Sequence, residues 1–99
     1  MPTYCMLINF TDQGIRTIRD GGKRIDAGRE LAKSLGLTLD KLDLCMGPYD
    51  VLVHMTAPND EAVAKFVLAL ASRGNVRTTT MKTFSEQEYR KMLAELPPA

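Results

Sequence analysis

The stretch LTLDKLDLCMGPYDVLVHMT, residues 37–56, decides the fold. Two β-prone runs flank Gly47-Pro48, a turn signal, so the segment reads as a hairpin of strands at 37–46 and 49–56. Symmetry about that pair sets Met46 opposite Tyr49, Leu44 opposite Val51, Leu42 opposite Val53 and Asp40 opposite Met55. That face is almost wholly apolar and points to a core. The other face pairs Cys45 with Asp50, Asp43 with Leu52 and Lys41 with His54. A one-residue slip would mix the two faces, so the pattern itself specifies the register.

Upstream, Thr3–Phe10 alternates Tyr4, Met6, Ile8 and Phe10 with Cys5, Leu7 and Asn9, which predicts a strand partly buried on both faces. Thr11 is a suitable N-cap for helical sequence over 11–35. Gly21-Gly22 interrupts that stretch, because glycine costs about 1 kcal/mol relative to alanine inside a helix. The segment therefore reads as one kinked helix or two short ones, with Ile25, Leu31, Ala32 and Leu35 inward. Downstream, Asn59 caps a helix whose interior, Ala62–Ala71, is apolar except for Lys65, and which Gly74 ends. A fourth strand covers 75–84 around Thr78-Thr79-Thr80. Ser85–Glu88 forms a capping box for a last helix marked by Tyr89, Met92, Leu93 and Leu96 and stopped by Pro97-Pro98.

The order β-α-β-β-α-β-α predicts a single α+β domain over 1–99. Its architecture is a ferredoxin-like βαββαβ unit: a four-stranded antiparallel sheet, helices on one face, and an extra C-terminal helix. Strand three then separates strands one and two, about 10 Å apart, which excludes an intrachain Cys5–Cys45 disulfide.

Ninety-nine residues, 44% hydrophobic and 25% charged, suit one soluble domain with one core. The longest apolar run, Phe66–Ala71, is far below the roughly 20 residues of a membrane span. Thirteen basic side chains against twelve acidic ones leave a net charge of +1, so no field recruits nucleic acid or an anionic membrane. Two cysteines are no disulfide framework, and the opening Met-Pro-Thr-Tyr has no basic n-region, so a cytoplasmic setting with reduced thiols is expected.

The apolar positions exceed what one covered sheet face requires. Cys5, Leu7, Asn9, Asp43, Cys45, Asp50, Leu52 and His54 share the face away from the helices, too apolar for open solvent and too polar for ordinary core. A second copy of the chain is the simplest cover, giving a homodimer, or a higher homo-oligomer, of the dimeric α+β barrel type with a cavity between the sheets.

Three blocks, taken together, resemble the GYD domain family of small bacterial proteins. They are Leu7–Thr11 followed by Gly14-Ile15, then Gly47-Pro48-Tyr49-Asp50, then Gly74–Thr80. The resemblance implies a ferredoxin-like, oligomeric domain and carries no established reaction.

Candidate chemistry is sparse. Tyr49 and Asp50 either build the turn, with Asp50 capping its amides, or sit at the cavity mouth as hydrogen-bonding or acid–base groups. His54, the only histidine, is a candidate general base held by Asp43, or a packing residue. Arg77 and Thr79 beside Asn9 form a candidate site for a carboxylate or enolate oxygen, or else keep an edge strand polar. Cys45 and His54 lie about 13 Å apart along the strands, so no metal site is expected. Gly21-Gly22-Lys23-Arg24 lacks the spacing of a phosphate loop, and the basic residues around it alternate with acids as on a solvated helix. No cofactor is expected. The favoured reading is an oligomeric protein that binds a small molecule or a partner at the inter-subunit sheet face. Two others compete with it: an enzyme resembling cofactor-independent oxygenases or isomerases of this barrel type, and a regulatory or structural adaptor.

Overall fold

A computed structural model describes all residues, Met1–Ala99. The elements are β1 (Thr3–Phe10), α1 (Asp12–Arg16), a 3₁₀ turn (Ile18–Asp20), α2 (Gly21–Ser34), β2 (Thr38–Leu44), β3 (Val51–Thr56), α3 (Asp60–Ser72), β4 (Val76–Thr83) and α4 (Glu86–Glu95). They form one antiparallel sheet in the order β2-β3-β1-β4. This is the ferredoxin-like α+β arrangement, with β3 between β1 and β2 as expected.

The hairpin register holds over four pairs, Leu44–Val51, Asp43–Leu52, Leu42–Val53 and Lys41–His54. It then shifts: a bulge at Asp40 sets Leu39, not Asp40, across from Met55. The expected Asp40–Met55 pair would have sunk a carboxylate into the core, a burial that needs a compensating partner. The bulge turns Asp40 out, where it accepts a 2.6 Å bond from the Thr56 hydroxyl, and turns Leu39 in. The hairpin end is also wider than expected. The strands stop at Leu44 and Val51, Met46 is fully exposed, and Met46 and Tyr49 belong to a six-residue loop rather than a facing pair.

The core lies between the sheet and the helices. Tyr4, Met6 and Ile8 of β1 and Val51, Val53 and Met55 of β3 meet Ala32 of α2 and Val63 and Phe66 of α3. Phe66 is fully buried and plugs the centre. Asn59 caps α3 by accepting from the Ala62 amide at 2.9 Å, as its sequence predicts.

The break between the first two helices falls at Thr17–Asp20, not at the glycine pair. Gly21 and Gly22 open α2, where amides lack helical partners anyway. Arg24 bonds back to the carbonyls of Gly14 at 3.1 Å and Thr17 at 3.0 Å, satisfying the end of α1. α1 is joined to the start of β4 by several bonds. The Thr11 amide donates to the Asn75 carbonyl at 3.1 Å, and the Thr11 hydroxyl to the Gly74 carbonyl at 2.6 Å. The Gln13 amide bridges the Arg73 carbonyl and the Asn75 side chain.

The capping box at Ser85 and Glu88 is present and starts α4. Its apolar residues nevertheless find no core: Tyr89, Met92, Leu93 and Leu96 are between 41% and 62% exposed. The molecule measures 54 Å along its longest axis and has a radius of gyration of 15.5 Å, against about 13 Å for a compact domain of this length.

Candidate functional site

Strand alternation places the candidate residues on the sheet face that no helix covers. The pairings arrange them in three rows. One row runs Lys41, His54, Cys5, Met81. The middle row runs Asp43, Leu52, Leu7, Thr79. The third continues past the strand ends as Cys45, Asp50, Asn9, Arg77, through the Cys45 amide on the Asp50 carbonyl at 2.7 Å and the Asp50 amide on the Ile8 carbonyl at 2.8 Å. Arg77 and Thr79 thus belong to the uncovered face, while Thr78 and Thr80 point to the helices.

Asn9 and Arg77 are direct partners across β1 and β4. Their amide and guanidinium face the same side of the sheet, the donor pair expected for an anionic oxygen. His54 is not part of that group. It lies four residues from Asp50 along β3, about 13 Å at strand rise, and its neighbours are Lys41 and Cys5. Asp43 pairs with Lys41 at 3.4 Å rather than with the imidazole. Asp50 uses its carboxylate on the backbone, accepting from the Phe10 amide at 2.9 Å. It therefore ties the end of β1 to the hairpin loop instead of capping the amides of its own turn. Tyr49 is half-buried in that loop. Cys5 is buried even on this face, and burial pushes its thiol upward, away from the reactive thiolate form.

One polar cluster lies elsewhere. Tyr4, buried as a residue, donates its hydroxyl to the exposed Asp60 carboxylate at the first turn of α3, which also pairs with Lys82 of β4 at 3.6 Å. Tyr4 and Lys82 are register partners, so once the β1–β4 pairing is known the cluster is readable. Burial, then the Asp60 bond and charge, push Tyr4 up to about 12, while the Tyr4 bond and the Lys82 charge hold Asp60 below the usual carboxylate range.

Because Tyr4 binds its proton more tightly in the folded chain, its contribution is complete below pH 10. It is lost as pH rises toward 12. Tyr4→Phe should lower the melting temperature near pH 7, and the gap to the parent should close between pH 10 and about 12. A gap that stays constant over that range in thermal melts would contradict this assignment. Asp60 has the opposite sign, its contribution being present above the ordinary carboxylate pKa and lost as pH falls below it.

The family model of the GYD domain matches residues 4–93. A Thermus thermophilus protein named "Glutamine synthetase and cystathionine beta-lyase binding protein" is 35% identical over 83 residues, covering 83% of this chain and 87% of the relative. Among solved structures, MtbAldR superposes with a TM-score of 0.65 at 17% identity, over 86% of this chain and 54% of that one. This chain thus spans about half the length of MtbAldR. The Thermus thermophilus protein TTHA0845 matches with a TM-score of 0.56 at 24% identity, over 86% of this chain and 95% of its own. The C-terminal domain of MgtC from Mycobacterium tuberculosis gives 0.52 at 14% identity, over 83% and 86%. At these identities the structures speak for the fold alone.

Proposed function

This chain belongs to the GYD domain family, and we propose that it works as a non-catalytic binding protein, a homodimer that docks partner enzymes. The observation that carries the proposal is the uncovered sheet face. Leu7 and Leu52 are register partners at its centre, ringed by Asp43, Asp50, Asn9, His54 and Arg77. An apolar centre with a polar rim is the anatomy of a protein interface. A two-fold axis along the strands sets the β4 edge of one copy over the β2 edge of the other. Arg77 then meets the side of the sheet that carries Asp43 and Asp50.

With the sheet faces paired, α4 is the free surface. Tyr89, Met92, Leu93 and Leu96 stand at i, i+3, i+4 and i+7, the spacing by which an amphipathic helix fills a groove on another protein. The relative from Thermus thermophilus is named for binding two enzymes, glutamine synthetase and cystathionine β-lyase, and this chain is proposed to bind enzymes of that kind. The enzyme reading has less support, because Asp43 pairs with Lys41 and Asp50 with the Phe10 amide, and neither holds His54 as an acid–base pair.

Titration of the chain against purified glutamine synthetase and cystathionine β-lyase from its own source organism tests this reading. At least one should bind in the micromolar range. Leu93→Glu, on an exposed position, should weaken that binding by about 30-fold or more, the loss of one interface anchor, with the secondary structure unchanged. Absence of binding to both enzymes, or equal binding by the variant, overturns the assignment of α4.

A further inference from the structure

The helix side of the sheet holds an unfilled apolar chamber, half open to solvent where Ile18, Ile25 and Leu44 are exposed. It has a volume of about 360 Å³ between α2 and the sheet, and 13 of its 17 lining residues are hydrophobic, Ile8, Leu42 and Val53 among them. Gly21, Gly22 and Gly28 of α2 line it, and at none of the three would an added Cβ meet another atom within 4 Å. Gly28 is buried. A buried glycine in a helix usually admits a close neighbour. Here it borders empty space, although each glycine disfavours the helix. Close packing, the rule in protein interiors, fails at this place.

A second, open hollow of about 460 Å³ adjoins the chamber, and the two meet along Arg24, Leu70 and Val76. Its charged residues are Lys23, Arg24, Arg73 and Asp20. Arg24 is bonded to backbone carbonyls, whereas Lys23 and Arg73 make no ion pair. Three cations against one carboxylate leave the hollow positive, and Lys23 and Arg73 are the two free to meet an anionic head group. We infer that the chamber beneath α2 binds a small amphipathic monocarboxylate, its apolar chain inside and its carboxylate at Lys23 and Arg73. A non-hydrogen atom of an alkyl chain takes about the space of a water, ~30 Å³, so the chamber suits a ligand of about twelve such atoms. The site lies on the opposite face of the sheet from Leu7 and Leu52, so it stands or falls independently of the dimer and of α4.

Decanoate is the probe, followed by calorimetry and by methyl NMR of the full chain. Saturable binding is expected, with shifts at Ile8, Ile25, Leu42 and Val53 and none at Leu7 or Leu52. Octanoate, shorter by two methylenes, should bind about 15-fold more weakly, at about fourfold per methylene. Gly28→Leu fills the chamber and should abolish binding. Gly28→Ala, which no neighbour obstructs, is the milder variant should the leucine disturb the fold, and should weaken binding measurably. Lys23→Glu with Arg73→Glu should weaken decanoate about tenfold or more while leaving decanol unchanged. No binding of decanoate up to about 1 mM, shifts confined to the Leu7–Leu52 face, or undiminished binding by Gly28→Leu each overturns the inference. Equal effects of the double variant on decanoate and decanol overturn the placement of the carboxylate.

Discussion

Gly14→Ala is expected to cost about 4 kcal/mol, a large part of the 5–15 kcal/mol that holds a typical domain folded. A Cβ at this position would lie 2.0 Å from the Asn75 carbonyl oxygen and 3.0 Å from its carbon. Both atoms are backbone, so no rotamer change relieves the clash and α1 must move away from β4. Moving it strains or breaks the bonds from the Thr11 amide and hydroxyl to Asn75 and Gly74, and those of Gln13 to Arg73 and Asn75. Overpacking costs about 1–3 kcal/mol, and each lost hydrogen bond about 1 kcal/mol more. The midpoint of thermal unfolding should fall by about 15–30 °C, measured at fixed protein concentration because an associating chain is stabilised by its own mass action. Gly28→Ala is the matched control. It adds the same methyl group within the same helical layer, meets nothing, and should raise stability by about 0.5–1 kcal/mol through helix propensity. Melting points of the two variants within 3 °C of each other (the result if neither glycine answers a steric demand) would contradict both halves of this account.

Gly14 also marks the boundary of what the sequence discloses. It stands in one of the three family-like blocks, yet nothing local distinguishes it from Gly28: both are single glycines in helical sequence. One is pressed against a carbonyl 61 residues away and the other borders a void, because the difference is made by the docking of α1 and α2 on a sheet built mostly from later residues. The hairpin is the opposite case. Its register follows from alternation alone, and four of the expected pairs are present. Even the bulge leaves a trace in the chain, since Leu37 and Leu39 share one parity while Leu42 and Leu44 share the other. A strand whose leucines change parity must carry an extra residue if all are to face one way. The gap between α2 and the sheet has no such trace. Ile25 has the spacing of a core residue and yet lines that gap, 39% exposed. Among the candidate site residues, Asn9 and Arg77 came together because strand pairing follows from topology. His54 and Asp50 did not, because four residues of extended chain keep them apart wherever the strand goes.

The proposed pairing of sheet faces makes Leu52→Asp the most damaging surface change available. Leu52 is half-buried within the chain, beside Leu7 at the centre of the uncovered face and beside Asp43 on β2. Its side chain belongs to the face opposite Val51, Val53 and Met55, so the core is untouched and the single chain should still fold. In a two-fold interface the substitution occurs twice and places two unpaired carboxylates close to Asp43 in a desolvated centre. Leaving a buried charge without a partner costs about 3–5 kcal/mol. Two such charges amount to about 6–10 kcal/mol, enough to weaken a dimer by at least 10⁴-fold. Light scattering at about 50 µM should therefore report a dimer for the parent chain and a monomer for Leu52→Asp. Circular dichroism should be nearly unchanged. Leu52→Met, which keeps volume and apolarity, should remain dimeric. The same experiment separates the two unpartnered surfaces, since Leu93→Glu on α4 should leave the mass at that of the dimer. A monomeric parent, or dimers in which Leu52→Asp makes no difference while Leu93→Glu splits them, would transfer the self-interface from the sheet to the C-terminal helix. The open rows of β1 and β3 would then be the face offered to other proteins, with Asn9 and Arg77 as its polar anchors.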